Sequence, residues 1–138
     1  MSADQDPRAV AILAAIQAEL PMSVTAYEAD EVPGTAGGPT GSALPPRYVT
    51  IELSRRWHPE KRGDADMIPG FALTTHYRAP NIAGVGGCRD LRKAVTAALE
   101  NRAYSLLSGD TVGPFSFEFD GGMNYVAEGW SGFDTWRA

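Results

Sequence analysis

The residues with the most reactive chemistry are one cysteine and two histidines. Cys88 stands at the start of a helical pattern, where a thiol can acquire a lowered pKa and act as a nucleophile. It would need a histidine base, and His76 lies in a strand pattern nearby, whereas His58 lies in a charged segment. The sequence indicates no third residue that would orient the histidine. We therefore favour a small buried thiol and a half-exposed strand histidine, and keep a small α+β enzyme using Cys88 and His76 as an alternative.

A glycine-rich stretch before the same helical pattern is the next candidate site. Gly84, Gly86 and Gly87 precede a helix start, and a helix N-terminus favours anions. A phosphate-binding P-loop ends in Gly-Lys-Ser/Thr, but Cys88 and Arg89 follow here. Arg89 also stands where the dinucleotide-binding pattern has its third glycine. The stretch predicts a flexible strand-to-helix turn, and we predict no cofactor.

Metal ligands are too few at any one place in the sequence. Asp64 and Asp66 form an Asp-x-Asp pair, but a calcium loop needs more ligands and a glycine in register. His58 and Glu60 provide two of the four ligands that zinc normally takes. We predict no metal site and no catalytic residue, and interpret these side chains as loop charges.

Charge is unevenly distributed along a chain whose net charge is −5. Residues 1–46 hold one basic and six acidic side chains, residues 47–104 hold ten and six, and residues 105–138 hold one and five. The acidic total argues against a dedicated nucleic-acid-binding protein. A basic patch lies in the middle third, where acidic residues are interleaved, and we favour contact with protein there. Its members are Arg55, Arg56, Lys61 and Arg62.

The elements that would position these residues begin with a helix and a strand. Asp6 and Pro7 predict a helix start. An Asp side chain can accept hydrogen bonds from the unpaired backbone N–H groups of the first turn, and a proline at the first helical position lacks only an N–H that would have no partner within the helix. The apolar pattern runs to Leu20, and Pro21 ends it. Residues 24–29 predict a short strand. Residues 30–46 are rich in glycine and proline, which predicts a flexible arm or loop.

The central part of the chain predicts two strands that flank a long charged loop. Residues 47–53 and residues 70–79 alternate between apolar and polar side chains, as half-buried strands do. Residues 54–69 predict a hairpin loop that projects into solvent or onto a partner. Trp57 in this loop is either an interface anchor or the last core residue of the strand.

The rest of the chain predicts a second helix and at least two strands. Helical spacing of apolar residues predicts a helix over 88–107 that ends at Gly109 and packs across the sheet. Alternating phenylalanines from Phe115 to Phe119 predict a strand, a turn at 120–122, and a return strand over 123–128. Trp130, Phe133 and Trp136 then indicate one further strand. This order predicts an α+β fold, mostly antiparallel, with two helices on one face.

Length and composition limit the number of domains and the classes of protein to which the chain can belong. The chain has 138 residues, which predicts a single domain over 1–138. One cysteine excludes an intramolecular disulfide. No apolar run reaches the length of a membrane span, and the acidic, amphipathic start predicts no secretory signal.

The order and character of these elements resemble a known family. The sequence has an amphipathic first helix, a Pro/Gly loop, a strand that opens with Pro46-Arg47-Tyr48-Val49, a charged hairpin loop, a long helix and a C-terminal hairpin region. This is similar to the small tail terminator (tail-completion) proteins of long-tailed bacteriophages, especially those that infect actinobacteria. The resemblance covers nearly the whole chain and implies an α+β fold.

The resemblance also implies a function and partners. Such proteins form a hexameric ring that caps the tail tube, ends tube polymerisation and offers a docking surface to the neck of the filled head. It implies a virion protein of the head-proximal tail, assembled in the host cytoplasm, whose lumen passes DNA without binding it specifically. Our predicted interface residues lie in the two long loops. They are Arg55, Arg56, Trp57, Arg62, Thr35 and Thr40.

Two further alternatives remain open from the sequence. A head–tail connector (neck) protein needs the same ring contacts on a related fold. A small-ligand binding module would line a pocket with Phe115, Phe117, Phe119 and Trp130, although phenylalanines at strand spacing are typical of an ordinary core.

Overall fold

The computed structural model describes residues 6–29, 31–32, 45–53, 71–107, 109–126 and 129–138. These residues form two α-helices, one short 3-10 helix (Asn81–Ala83) and seven strands. In chain order, the α-helices and strands are α1 (Pro7–Glu19), β1 (Thr25–Glu28), β2 (Tyr48–Leu53), β3 (Ala72–Pro80), α2 (Gly84–Leu99), β4 (Tyr104–Ser105), β5 (Thr111–Val112), β6 (Ser116–Val126) and β7 (Gly129–Arg137). The predicted α+β fold is confirmed.

Five of the strands form one sheet in the order β1-β2-β3-β7-β6. β1 pairs with β2 in parallel, and every other pair in this sheet is antiparallel. The predicted alternation of β3 is confirmed, because Leu73, Thr75, Tyr77 and Ala79 are buried whereas the residues between them are half-buried. β4 and β5 form a separate two-stranded sheet.

Both helices pack against the same face of the sheet, as predicted. The start of α1 is capped by Asp6, whose Oδ1 accepts a hydrogen bond from the Arg8 backbone N–H at 2.9 Å. The apolar sides of the two helices and of β2, β3 and β7 bury into one cluster. Its members include Ile12, Ile16, Val49, Ile51, Leu73, Tyr77, Val95, Leu99 and Trp136. We call this side of the sheet the helix face and the other side the open face.

The predicted boundaries of the second helix are wrong at both ends. α2 covers Gly84–Leu99 rather than 88–107. It ends because Glu100 leaves the helical conformation and Asn101 takes a positive φ of 59°, which turns the chain away. Leu106 still packs against the core, but it follows strand β4, so its helical spacing from Leu99 is coincidental.

The glycine run is the first turn of α2 rather than a flexible turn. A Cβ placed on Gly87 would lie 2.7 Å from the Ala83 Cβ and 2.9 Å from the Ala79 Cβ. Gly87 therefore lets the start of α2 approach the end of β3 more closely than any side chain allows.

A substitution pair tests this close approach. Gly87→Ala should lower the free energy of unfolding by about 1–3 kcal/mol, because the new methyl group overpacks two methyl groups that cannot move aside. Gly86→Ala is the matched control, since its Cβ would meet nothing within 4 Å. That variant should be neutral, or more stable by about 0.5–1 kcal/mol. Urea unfolding of both variants measures the difference, and equal stabilities would contradict the packing.

The predicted turn at residues 120–122 is wrong as well. β6 runs without interruption from Ser116 to Val126, and register irregularities lie between Phe117 and Phe119 and between Asp120 and Met123. A Cβ on Gly121 would lie 2.3 Å from the Phe133 ring, so the glycine accommodates a cross-strand side chain rather than a hairpin turn. The predicted tail strand is confirmed as β7, which lies between β3 and β6.

Candidate interface

The cysteine and histidine that the sequence offered as a dyad lie on opposite faces of the sheet. Cys88 is buried on the helix face, where its Sγ lies 3.1 Å from the Trp130 carbonyl oxygen. His76 lies on the open face, with its ring centroid 5.6 Å from that of Phe133. Burial raises the pKa of the Cys88 thiol, which disfavours the thiolate. The structure does not bring the two groups together for nucleophilic chemistry.

The environment of His76 is also unlike that of a general base poised near neutral pH. Burial lowers the pKa of His76, although the negative charge of Glu52 acts in the opposite direction. The imidazole borders a shallow depression on the open face. This depression is lined by Ala29, Val32, Tyr48, Thr50, Tyr77, Arg78 and Ser131.

The only buried acid in the described residues, Asp134, lies at the centre of a polar network on the helix face. Arg92 of α2 binds it in a bidentate manner, with Nε at 2.9 Å from Oδ2 and Nη2 at 2.7 Å from Oδ1. The Tyr77 hydroxyl donates to Asp134 Oδ2, and Thr75 Oγ1 lies 2.8 Å from that hydroxyl. Trp136 Nε1 donates to Thr75 Oγ1 at 3.1 Å. Sequence reasoning missed this network, because its members are separated by up to 61 residues.

The network extends to the outer strand through Asp120. Arg92 Nη1 lies 3.3 Å from Asp120 Oδ2, and the Gly122 backbone N–H donates to Asp120 Oδ1 at 2.7 Å. These hydrogen bonds, that from Arg92 foremost, hold the pKa of Asp120 below its usual range. Burial, together with the hydrogen bond to Asp134, raises the pKa of the Tyr77 phenol. Arg92 thus ties α2 to both β6 and β7, and its two carboxylates are engaged within the chain.

The outer strand β6 exposes large apolar side chains. Phe117, Phe119, Tyr125 and Val126 are 43%, 55%, 52% and 39% exposed. Each of the three aromatic rings contacts an aromatic ring of β7, at centroid distances of 5.3, 6.3 and 5.7 Å respectively. In the described part of the chain no strand pairs with the outer edge of β6. An outermost strand with exposed apolar side chains is a site of association.

The first irregularity of β6 places its phenylalanines on two faces. Phe117 is opposite Trp136 on the helix face, but Phe119 is opposite Thr135 and packs on Phe133 of the open face. Glu118 is the extra residue, and a bulge of this kind reverses the alternation that follows. Phe115 is the buried member of the predicted stripe and packs on Phe71. The four aromatics of the predicted binding module therefore contact four different partners and do not all lie on one face of the sheet.

The predicted interface residues lie outside the described residues. Residues 54–69 are outside entirely, and of residues 30–46 only 31–32 and 45–46 are described. Arg55, Arg56, Trp57, Arg62, Thr35 and Thr40 therefore stay predictions. The β6 edge was missed, because its aromatic residues and Met123 stand at odd positions from Phe115 to Tyr125, a pattern that also fits a half-buried strand inside a sheet.

Within the described ranges, no group of three or more His, Cys, Asp or Glu side chains is placed to hold a metal ion. The helices of that same part of the chain are too short or too polar to cross a membrane.

The fold is similar to that of a chain in the virion of the native gene transfer agent (GTA) particle. The two sequences are 18% identical, the match covers 94% of this chain and 90% of that chain, and the TM-score is 0.60. No protein-family model matches this chain. No curated protein matches it either.

Proposed function

We propose that this chain is a structural virion protein that forms a ring on the head-proximal end of a phage tail tube. The ring ends tube polymerisation and offers a docking surface to the neck. The observation that carries this proposal is the likeness in fold to a chain of a phage-like virion over 94% of the length. It agrees with the independent resemblance of the element order to tail terminator proteins.

Two features of the described structure support an assembly role over catalysis. Among the described residues, Asp134 is engaged by Arg92, and Cys88 and His76 are separated by the sheet. By contrast, four of the eight exposed large apolar side chains among the described residues lie on the outer strand β6, where another chain can reach them. In this proposal the partners are other copies of the chain, the tail tube protein and the neck protein.

The lumen of the ring has to pass DNA without retaining it. Protein surfaces that bind DNA nonspecifically do so with lysine and arginine against phosphates. A chain with net charge −5, and with acidic first and last thirds, can present a lumen that does not bind phosphates tightly.

A tube-capping experiment tests the proposal. We expect six chains of 14.7 kDa to give particles of about 88 kDa by mass photometry. Negative-stain electron microscopy of purified tail tubes mixed with the protein should show density at one end of each tube. A protein that stays monomeric and never binds tubes would overturn the proposal. Binding to filled heads but never to tubes would instead support a neck connector, the second assembly role that this fold accommodates.

Trp57 in the charged loop provides a sharper test of where partners bind. We expect Trp57→Ala to weaken tube-end binding at least about tenfold, because buried tryptophans are frequent anchors of interfaces. The free energy of unfolding should stay within about 0.5 kcal/mol of the wild type, as for a surface substitution. A large loss of stability would instead identify Trp57 as a core residue.

The double variant Arg55→Ala/Arg56→Ala should weaken tube-end binding, and the loss should be smaller at high salt, where charge interactions are screened.

A further inference from the structure

The five-stranded sheet has two outer strands, and they are chemically suited to each other. β1 lies at one edge and β6 at the other, and no strand among the described residues pairs with the outer side of either. The outward N–H and C=O groups of an edge strand are a template for another strand. Because the two edges belong to one sheet, the β6 edge of one copy can meet the β1 edge of the next without any change of fold.

Strand direction favours this contact. β1 is parallel to β2, and each of the three following neighbours in the sheet reverses direction. β6 is therefore antiparallel to β1. If a second copy is placed beside the first with its sheet in the same orientation, its β1 runs antiparallel to β6, which is the more stable ladder.

The lengths of the two edges agree, and their positions agree to within two residues. After its second irregularity β6 pairs regularly with β7 over four residues, Met123–Val126, and β1 is four residues long. The pairing registers place Thr25 and Asn124 in the same row across the sheet, through Tyr48, Arg78 and Ser131. Both end residues of this row are exposed, and both belong to the open face.

The β6 edge lacks most of the features that keep edge strands apart. It contains no lysine, arginine or proline, which commonly protect exposed edges. Its two acids are neutralised within the chain, since Glu118 accepts from Arg137 at 2.8 Å and Asp120 pairs with Arg92. The two bulges do interrupt pairing further back in the strand, but the segment Met123–Val126 follows them and is uncharged.

We infer that strand β6 of one copy pairs antiparallel with strand β1 of the next copy, so that one sheet continues from subunit to subunit. This contact is heterologous, and repeated heterologous contacts close into a ring when the rotation between subunits allows it. The inference rests on the proposed ring function and names the partner of its subunit interface. Tyr125 and Val126 would then be covered by the neighbouring copy.

Disulfide cross-linking tests the pairing. Thr25→Cys and Asn124→Cys are introduced together into the full chain, which is oxidised under conditions where mass photometry shows the oligomer. Within one chain the two positions are four strand spacings apart, roughly 19 Å, which is too far for a disulfide. We expect a ladder of covalent oligomers on a non-reducing gel, up to the size of the ring. The Thr25→Cys/Val126→Cys pair covers the register shifted by two residues, in which all four residues of β1 face Met123–Val126.

The single variants provide the controls. Each of them alone should stay uncross-linked, as should the wild type, whose thiol at Cys88 is buried. A mixture of the two single variants should give a covalent dimer and nothing larger. Covalent dimers from Asn124→Cys alone would overturn the inference, because they require two β6 edges to meet.

The cross-linking result separates this inference from the proposed function. Rings that cap tubes but yield no ladder from either double variant overturn the β6–β1 pairing and leave the proposed function standing. A chain that neither caps tubes nor cross-links in their presence removes both. A ladder together with capped tubes supports both.

Discussion

Replacing Arg92 with methionine will lower the free energy of unfolding by about 3–5 kcal/mol, the range for removing one member of a buried ion pair. The Asp134 side chain is fully buried and accepts both of its charge-assisted hydrogen bonds from Arg92. Without the guanidinium, a carboxylate remains in the core, and among the described residues only the Tyr77 hydroxyl donates a hydrogen bond to it. Methionine retains much of the aliphatic packing, so the loss isolates the charge.

The exposed pair Arg137–Glu118 is the matched control. Its side chains are 61% and 40% exposed, so Arg137→Met should cost less than about 1 kcal/mol. Arg92→Lys should fall between the two, because an ammonium group cannot reproduce the bidentate contact. Urea unfolding monitored by tryptophan fluorescence measures all three variants. If Arg92→Met cost no more than Arg137→Met, Asp134 would have another source of stabilisation.

Tyr125→Glu will raise the dissociation constant of the ring contact by about 100-fold or more, which corresponds to roughly 3 kcal/mol. Tyr125 is 52% exposed on the outer strand and packs edge-on against Trp130. In the proposed assembly this side chain is buried by the neighbouring copy, and a carboxylate there would be desolvated without a partner. Sedimentation velocity over a concentration series measures the effect.

A substitution elsewhere on the surface controls for hydrophobicity alone. Leu107 is fully exposed and lies in a turn between β4 and β5, outside the five-stranded sheet. Leu107→Glu should leave the dissociation constant within about twofold of the wild type, as expected outside an interface. The folded monomer should survive Tyr125→Glu with a loss of at most about 1.5 kcal/mol, the scale of an aromatic pair. Equal weakening by both variants would show that association is nonspecific.

Local pattern was sufficient for the elements whose environment is uniform along their length. β2 and β3 each have one buried and one less buried side, so alternation in the sequence predicted both strands and their faces. The start of α1 followed from Asp6 and Pro7, because capping involves only neighbouring residues. The fold class followed from the order of these elements.

Where the local sequence pattern is misleading, the tertiary structure alone decided the outcome. Phe117 and Phe119 alternate like core residues, yet β6 is the outermost strand and a bulge sends them to opposite faces. The spacing of Leu106 continues a helical pattern that ends at Leu99. Arg92 and Asp134 are ordinary charges in sequence, and only the packing of α2 on β7 makes them a buried pair. Strand order and long-range contacts decide these features, and neither is encoded in the spacing of neighbouring residues.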